Sequence, residues 1–178
     1  TSVAPEKFDL ISEFCYKDGF IVFKTSDSFK EGNALLAAKD AKGEILWSWH
    51  IWFTDQPKEQ VYFNNAGILM DRNIGATSAT PGDVGALGLM YQWGRKDPFL
   101  GAAAIGDPLF AVATRHLKVT LNTEATSTVD FAVANPHKFV LGNASGDWLA
   151  TKDNSLWASS KTMYDPCPPG YKVPYRSE

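Results

Sequence analysis

The chain has 178 residues and a formal net charge of −3, so it is long enough for one domain with a sizeable core and has no basic surplus for binding phosphates. Nucleic acid is therefore not an expected partner. No apolar run approaches the ~20 residues that a membrane-spanning helix needs, so we expect no membrane span and treat residues 1–178 as a single domain.

Strands dominate the predicted elements of the N-terminal part. The turn pair Asp18-Gly19 precedes an apolar run, which predicts a strand over residues 20–24. A second short strand is predicted over residues 34–39, and Asp40 opens the turn that follows it.

The clearest strand pattern covers residues 44–54. Apolar side chains alternate along one face of this segment, and the other face also carries Leu46 and Trp52. Apolar residues on both faces predict a central, largely buried strand. A second buried strand is predicted over residues 67–73, followed by a loop over residues 75–85.

Short helices and loops are predicted in the rest of the chain. Asp83 predicts the N-cap of a short helix that continues to about Gly94. Residues 100–116, which are small and apolar, predict an ordered loop, and residues 117–121 predict a short strand.

A second helix is predicted over residues 129–135. Ser127 or Thr128 provides its N-cap and Pro136 its stop signal. The following residues 142–161 are typical of a loop, although they include two tryptophans.

The last recognisable segment of the sequence is a proline-rich run from Tyr164 to Pro174. It holds four prolines, one glycine and one of the two cysteines of the chain. Proline fixes φ and removes an amide donor, so the run is neither a helix nor a central strand. We expect a rigid, ordered turn.

The two cysteines, Cys15 and Cys167, are expected to be structural. Two alternatives remain open: a disulfide that joins the ends of the chain, or two separate buried thiols. The three histidines show no ligand spacing, so no metal site is expected.

Four segments, in this order, resemble a known family. They begin at Trp47 (Trp-Ser-Trp-His-Ile-Trp), Met70 (Met-Asp-Arg-Asn-Ile-Gly-Ala), Gly88 (Gly-Leu-Met-Tyr-Gln-Trp-Gly-Arg-Lys-Asp-Pro-Phe) and Tyr164 (Tyr-Asp-Pro-Cys-Pro-Pro-Gly-Tyr-Lys-Val-Pro). Together the segments resemble the Fibrobacter succinogenes major paralogous domain, as it occurs in fimbrillin-like surface adhesins of Bacteroidetes.

The resemblance implies a fold and a location. The implied fold is α+β and C-type-lectin-like, with mostly antiparallel sheet, a few short helices and long ordered loops; an all-β sandwich is the alternative. The implied protein is exported, as a lipoprotein or pilus-associated protein at the outer-membrane surface or outside the cell. The family pattern continues beyond the proline-rich run, so we expect this chain to be a fragment of a longer protein. As an alternative to a single domain over the whole chain, residues 1–31 belong to a segment that precedes the domain.

No catalytic residue is predicted, so we expect no enzyme. The sequence lacks a phosphate-binding glycine loop, a Gly-x-Ser-x-Gly elbow and a His-Glu-x-x-His helix. His50 lies in a Trp-rich strand, which favours a satisfied core histidine over a general base. Cys167 has no general base near it in sequence.

Glycan binding is the functional candidate that the loop residues support. Trp148 and Trp157 lie near Asp147, Asp153 and Asn154, and sugars stack on aromatic rings while polar side chains bind their hydroxyls. The alternative is that both tryptophans anchor the loop on the core. Calcium at the same oxygen ligands is a further alternative, although no EF-hand loop is present, and no cofactor is expected.

The sequence therefore predicts a non-catalytic adhesin or fimbrial-subunit module that binds glycans or other surface and pilus subunits. A structural surface module without a ligand is the first alternative, and a carbohydrate-active enzyme is the second.

Overall fold

Short antiparallel strands make up most of the regular structure. The computed structural model describes residues 9–63, 67–100 and 118–174, and they contain one short α-helix, α1 (Val129–Ala134), and one 3₁₀-helix (Val84–Leu87). The strands in the same ranges are β1 (Ile11–Lys17), β2 (Phe20–Thr25), β3 (Gly32–Lys39), β4 (Ile45–Phe53), β5 (Glu59–Val61), β6 (Ile68–Met70), β7 (Leu89–Met90), β8 (Phe99–Leu100), β9 (Lys118–Thr120) and β10 (Lys138–Val140).

The strands pair two by two. β1–β2, β3–β4, β5–β6 and β7–β8 are antiparallel, whereas β9 and β10 are parallel with α1 in their connection. Each strand thus has one partner among the described residues. The prediction of a sheet-dominated, mostly antiparallel fold is confirmed at this level.

The β1–β2 hairpin forms where the Asp18-Gly19 pair predicts a turn. Asp18 has φ 53° and Gly19 has φ 85°, and positive φ at both central residues is the signature of a type I′ turn. This turn matches the right-handed twist of the flanking strands, so it fixes the pairing of Lys17 with Phe20. The predicted strand at 20–24 is confirmed as β2.

The segment predicted as a central strand forms β4, but its predicted position was wrong. β4 pairs with β3 alone among the described strands, and Leu46 and Trp49 are exposed. The predicted buried strand at 67–73 is shortened to β6, where Ile68 and Leu69 are exposed. Apolar content therefore overstated burial, and β4 and β6 each have a single strand partner among the described strands.

The helix predicted from Asp83 to Gly94 is only a single 3₁₀ turn. The Asp83 side chain accepts a hydrogen bond from the Gly85 N–H, as predicted for the N-cap. The helix ends at Gly88, which has φ 68° and lies so close to Asn73 that a Cβ there would approach the Asn73 Cβ to 2.8 Å. This close approach ends the helix and starts β7.

Helix α1 agrees with its prediction. The Thr128 side chain accepts a hydrogen bond from the Phe131 N–H and so caps the helix. Ser127 instead donates to the Thr123 carbonyl. The predicted strand at 117–121 is confirmed as β9, and the predicted loop at 100–116 lies outside the described residues, except for Leu100, which belongs to β8.

The core lies where the loop of residues 142–161 packs against α1 and β10. Its buried residues are Ala132, Val140, Trp148, Leu149 and Leu156. No helix in the described ranges is long and apolar enough to cross a membrane.

Candidate functional site: a groove along β6

An open groove separates β6 from the proline-rich run. Its volume is about 1200 Å³, and it is lined by β6, residues 72–74, the start of β7 and several residues between Pro166 and Pro174. A smaller cavity of about 540 Å³ adjoins it and shares Ile68, Gly170 and Tyr171. We call the larger depression the β6 groove.

Asp165 holds the proline-rich wall of the β6 groove in place. Its carboxylate accepts hydrogen bonds from the Cys167 N–H at 2.9 Å, the Val173 N–H at 2.8 Å and the Lys161 ammonium at 3.0 Å. Burial alone would raise the pKa of Asp165, but these donors hold its pKa below the usual value. The run contains turns and neither helix nor strand, as predicted from its prolines.

Arg72 braces the opposite wall. Its guanidinium is nearly buried and donates to Asp71 at 2.9 Å and Asp55 at 2.5 Å. Hydrogen bonding to Arg72 lowers the pKa of both carboxyl groups. Asp71, Arg72 and Asp55 thus brace the loop that follows β6.

A hydrogen-bonded chain of side chains lies behind Tyr91, a residue that lines the groove. The His50 Nε2 is 2.8 Å from the Asn33 Oδ1, and the His50 Nδ1 is 3.1 Å from the Tyr91 hydroxyl. The amide oxygen only accepts, so Nε2 carries the proton and the Tyr91 hydroxyl donates to Nδ1.

This chain of groups is held in its neutral form. Burial lowers the pKa of His50 to about 4, although Asp97 opposes the shift. Burial also raises the pKa of Tyr91. A neutral imidazole and a protonated phenol form a stable structural bridge, as expected for a satisfied core histidine.

The stability of the protein is expected to fall as the pH drops from 6.5 to 4. In the unfolded chain His50 is protonated near pH 6.5, whereas in the folded chain its imidazole stays neutral until the pH falls to about 4. Linkage then removes about 3 kcal/mol from the free energy of unfolding across this window. Urea titrations of wild type and His50→Gln at several pH values measure the effect.

The variant is expected to show a flatter pH profile than wild type between pH 6.5 and 4. His137, whose pKa burial also lowers, contributes equally to both proteins and so cancels in the comparison. Parallel profiles would contradict the assignment to His50.

Cys167 lines the β6 groove but is not activated. Burial, followed by the nearby Asp165, raises the pKa of the thiol to about 12, so it is protonated at neutral pH. Cys15 is exposed on β1, and both cysteines are free in the structure. The disulfide alternative is not formed, and the alternative of two buried thiols fails for Cys15.

The two predicted glycan-stacking residues are buried. Trp148 is 4% and Trp157 is 8% exposed, and their indole N–H groups donate to the carbonyls of Trp93 and Tyr164 at 2.6 and 2.8 Å. A buried ring has no free face for a sugar, so the geometry fits the loop-anchor alternative. Only Trp157 reaches the β6 groove.

The three polar residues predicted beside these tryptophans do not converge on a site. Asp147 accepts from the Leu149 N–H, and Asp153 accepts from the Ser155 N–H, both at 2.9 Å. Both are local turns of the type that aspartate commonly forms. Asn154 is exposed, and no group of three acidic, cysteine or histidine side chains in the described ranges could hold a metal ion.

A buried polar cluster of Ser48, Lys96 and Asp97 was missed by sequence reasoning. The Lys96 ammonium donates to the Ser48 carbonyl at 2.9 Å and to the Asp97 carboxylate at 2.7 Å, and the Ser48 hydroxyl donates to Asp97 at 2.6 Å. A serine beside a lysine is an arrangement found in nucleophilic sites. In this cluster the lysine is ion-paired, all three residues are buried, and none lines the β6 groove, so the cluster is structural.

No family model, curated protein or solved structure matches this chain. The family membership suggested by the four segments therefore stays a prediction, and a functional proposal has to be carried by the geometry.

Proposed function

We propose that this chain is a non-catalytic module of an exported adhesin or fimbrial protein and that it binds an extended segment of a partner subunit in the β6 groove. The observation that carries the proposal is the position of the groove along β6. All three β6 residues line it, and β5 is the only described strand that pairs with β6.

An extended segment suits the chemistry of the two walls. A strand with an unpaired edge can donate and accept main-chain hydrogen bonds, which is how sheets bind added strands. On the opposite wall Pro166 and Pro174 have no N–H, and the Cys167 and Val173 N–H groups already donate to Asp165, which reduces the number of competing donors. The volume of about 1200 Å³ exceeds the ~300–1,000 Å³ of typical small-molecule pockets.

The charges in the groove support a non-catalytic role. Arg72 and Lys172 line it, whereas no Asp or Glu does so within the described ranges. Glycoside hydrolysis generally needs two placed carboxyl groups. The carbohydrate-active enzyme is therefore the least favoured of the predicted functions.

The location and the detailed fold rest on the family resemblance. We assign the protein to the outer-membrane surface or the exterior, with a C-type-lectin-like α+β arrangement, because the four segments resemble the fimbrillin-like family. The mostly antiparallel strands and the single α-helix of the described residues are compatible with this arrangement.

Glycan binding in the same groove is the second candidate. Tyr62, Asn73 and Tyr171 all line the groove. Tyrosine rings stack on sugars, and an amide side chain binds hydroxyls. This site replaces the buried tryptophans as the place where a glycan would bind.

A charged residue placed in the groove is expected to weaken the binding of extended peptides. Leu69→Lys introduces an ammonium on β6, and Leu46→Lys does the same on β4, outside the groove; both leucines are exposed. On an array of peptides with alternating apolar and polar residues, we expect Leu69→Lys to bind at least ~10-fold more weakly than wild type, because binding desolvates the charge.

The control Leu46→Lys is expected to bind as wild type does. Failure of wild type to bind any peptide, or equal binding by both variants, would reject the subunit-binding proposal. Binding on a glycan array that Tyr171→Ala removes would support the second candidate in its place.

A further inference from the structure

The β1–β2 hairpin is an exposed two-stranded ribbon, and none of its residues lines the β6 groove. Phe14 is 69% and Tyr16 is 77% exposed. They pair with Phe23 and Ile21, and directly opposite residues lie on one face. This face is therefore apolar, while the other face carries Glu13, Cys15 and Lys17 of β1 beside their β2 partners Lys24, Val22 and Phe20.

The outer edge of β1 has main-chain groups without a strand partner among the described residues. A two-residue turn closes on a hydrogen-bonded pair, which is Lys17 with Phe20. Every second residue then points its N–H and C=O toward β2, namely Cys15 and Glu13. Phe14 and Tyr16 direct theirs outward, so the edge can accept another strand.

We propose that β1 pairs in antiparallel fashion with β1 of a second copy of this chain, about a twofold axis at Cys15. In this register Glu13 of each copy lies opposite Lys17 of the other, and Phe14 lies opposite Tyr16. The dimer gains two ion pairs and two aromatic pairs, and the four strands β2–β1–β1–β2 form one continuous sheet. Such a contact is self-complementary, as a twofold interface requires.

Neighbouring registers lack this complementarity. An axis at Glu13 places the two Glu13 carboxylates opposite each other, which is unfavourable. An axis at Phe14 or at Tyr16 leaves both charges without an opposite partner. The edge of β2 offers no equivalent pairing, because Lys24 is its only charged residue. The charge pattern thus selects β1, the second copy and one register.

Charge reversal tests the proposed register. Glu13→Lys places lysine opposite Lys17, and Lys17→Glu places glutamate opposite Glu13, so each variant alone is expected to dimerise about 10-fold more weakly than wild type. An equimolar mixture of the two variants restores both opposite-charge pairs in a heterodimer. Sedimentation velocity with one fluorescent variant measures the dimer.

Lys42→Glu, a charge reversal in the exposed turn before β4, serves as the matched control and is expected to dimerise as wild type does. Circular dichroism checks that each variant is folded. A monomeric wild type, single variants that dimerise like wild type, or a mixture that stays monomeric would each overturn the proposal.

The exposed Cys15 gives a second, independent readout. Opposite residues in a non-hydrogen-bonded pair have Cα atoms ~4.5 Å apart, within the ~4.4–6.8 Å range of disulfides. In a Cys167→Ser background, mild copper-catalysed oxidation is expected to cross-link two Cys15 residues, and Glu13→Lys is expected to slow the reaction about 10-fold. A Cys15→Ser, Lys42→Cys, Cys167→Ser variant gives the rate of random collision, and an equal rate at Cys15 would reject the register.

Discussion

Arg95→Met is expected to lower the free energy of unfolding by about 3–5 kcal/mol, because several acceptors lose a charged donor and each one left buried and unsatisfied costs about 1–3 kcal/mol. Arg95 is buried and donates to the Lys138 carbonyl at 2.8 Å and the Gln92 Oε1 at 3.0 Å. Two further bonds reach the carbonyls at the end of α1, where the helix carries partial negative charge. Removal of the guanidinium leaves these buried acceptors without donors.

Aromatic rings and carbonyl groups surround the Arg95 guanidinium and hold it in position. It lies 4.9 Å from the centre of the Phe99 ring and 5.5 Å from that of Trp148. Burial lowers the pKa of Arg95 to about 10, with Asp97 opposing the shift, so the residue stays charged at neutral pH. Arg95 therefore connects the turn after β7 to α1, to β10 and to the loop of residues 142–161, which contains Trp148.

Denaturant unfolding of two further variants tests this explanation. Arg95→Lys keeps the charge but loses the planar fork, so we expect it to lose at least half as much stability as Arg95→Met. Lys24→Met is the control, since Lys24 and its ion-pair partner Asp27 are both exposed; we expect a loss of at most about 1 kcal/mol. A loss at Arg95 no greater than that at Lys24 would contradict the proposed role.

Asp97→Ala is expected to have the second large effect, a loss of about 3–5 kcal/mol. The substitution leaves the Lys96 ammonium buried without its counter-charge, although the ammonium still lies 4.4 Å from the centre of the Trp47 ring. Burial already lowers the pKa of Lys96, and loss of the carboxylate removes the main opposing interaction. Chemical denaturation at neutral pH measures the loss.

A double-mutant cycle separates the ion pair from general packing. In Lys96→Met with Asp97→Ala no charge is left uncompensated, so the double variant is expected to be at least as stable as Asp97→Ala alone. Additive losses would show that the two residues stabilise the protein independently.

Sequence reasoning located most elements but misjudged their burial. The β1–β2 turn and the Thr128 cap were predictable because each depends on residues adjacent in the chain. Burial of β4 was overestimated because alternating apolar residues indicate a strand, and they do not show whether a second strand covers its far edge.

The candidate site was less predictable than the elements. The proline-rich run was recognisable as an ordered turn, but its role as one wall of the β6 groove depends on β6, about one hundred residues earlier in the sequence. From the sequence, Trp148 and Trp157 fitted either a sugar site or anchors of the loop on the core. In the structure their indole N–H groups donate to the carbonyls of Trp93 and Tyr164, which fixes both rings in the core.

The sequence by itself determined the β1–β2 turn, the caps at Asp83 and Thr128 and the locations of β2, β3, β4, β6 and β9, because these follow from side chains a few residues apart. Only the tertiary structure decided which apolar residues are buried, where the groove lies and which partners Arg95, Lys96 and Asp97 meet. The reason is physical: burial and desolvation depend on which distant segments meet, and local pattern carries no measure of that distance.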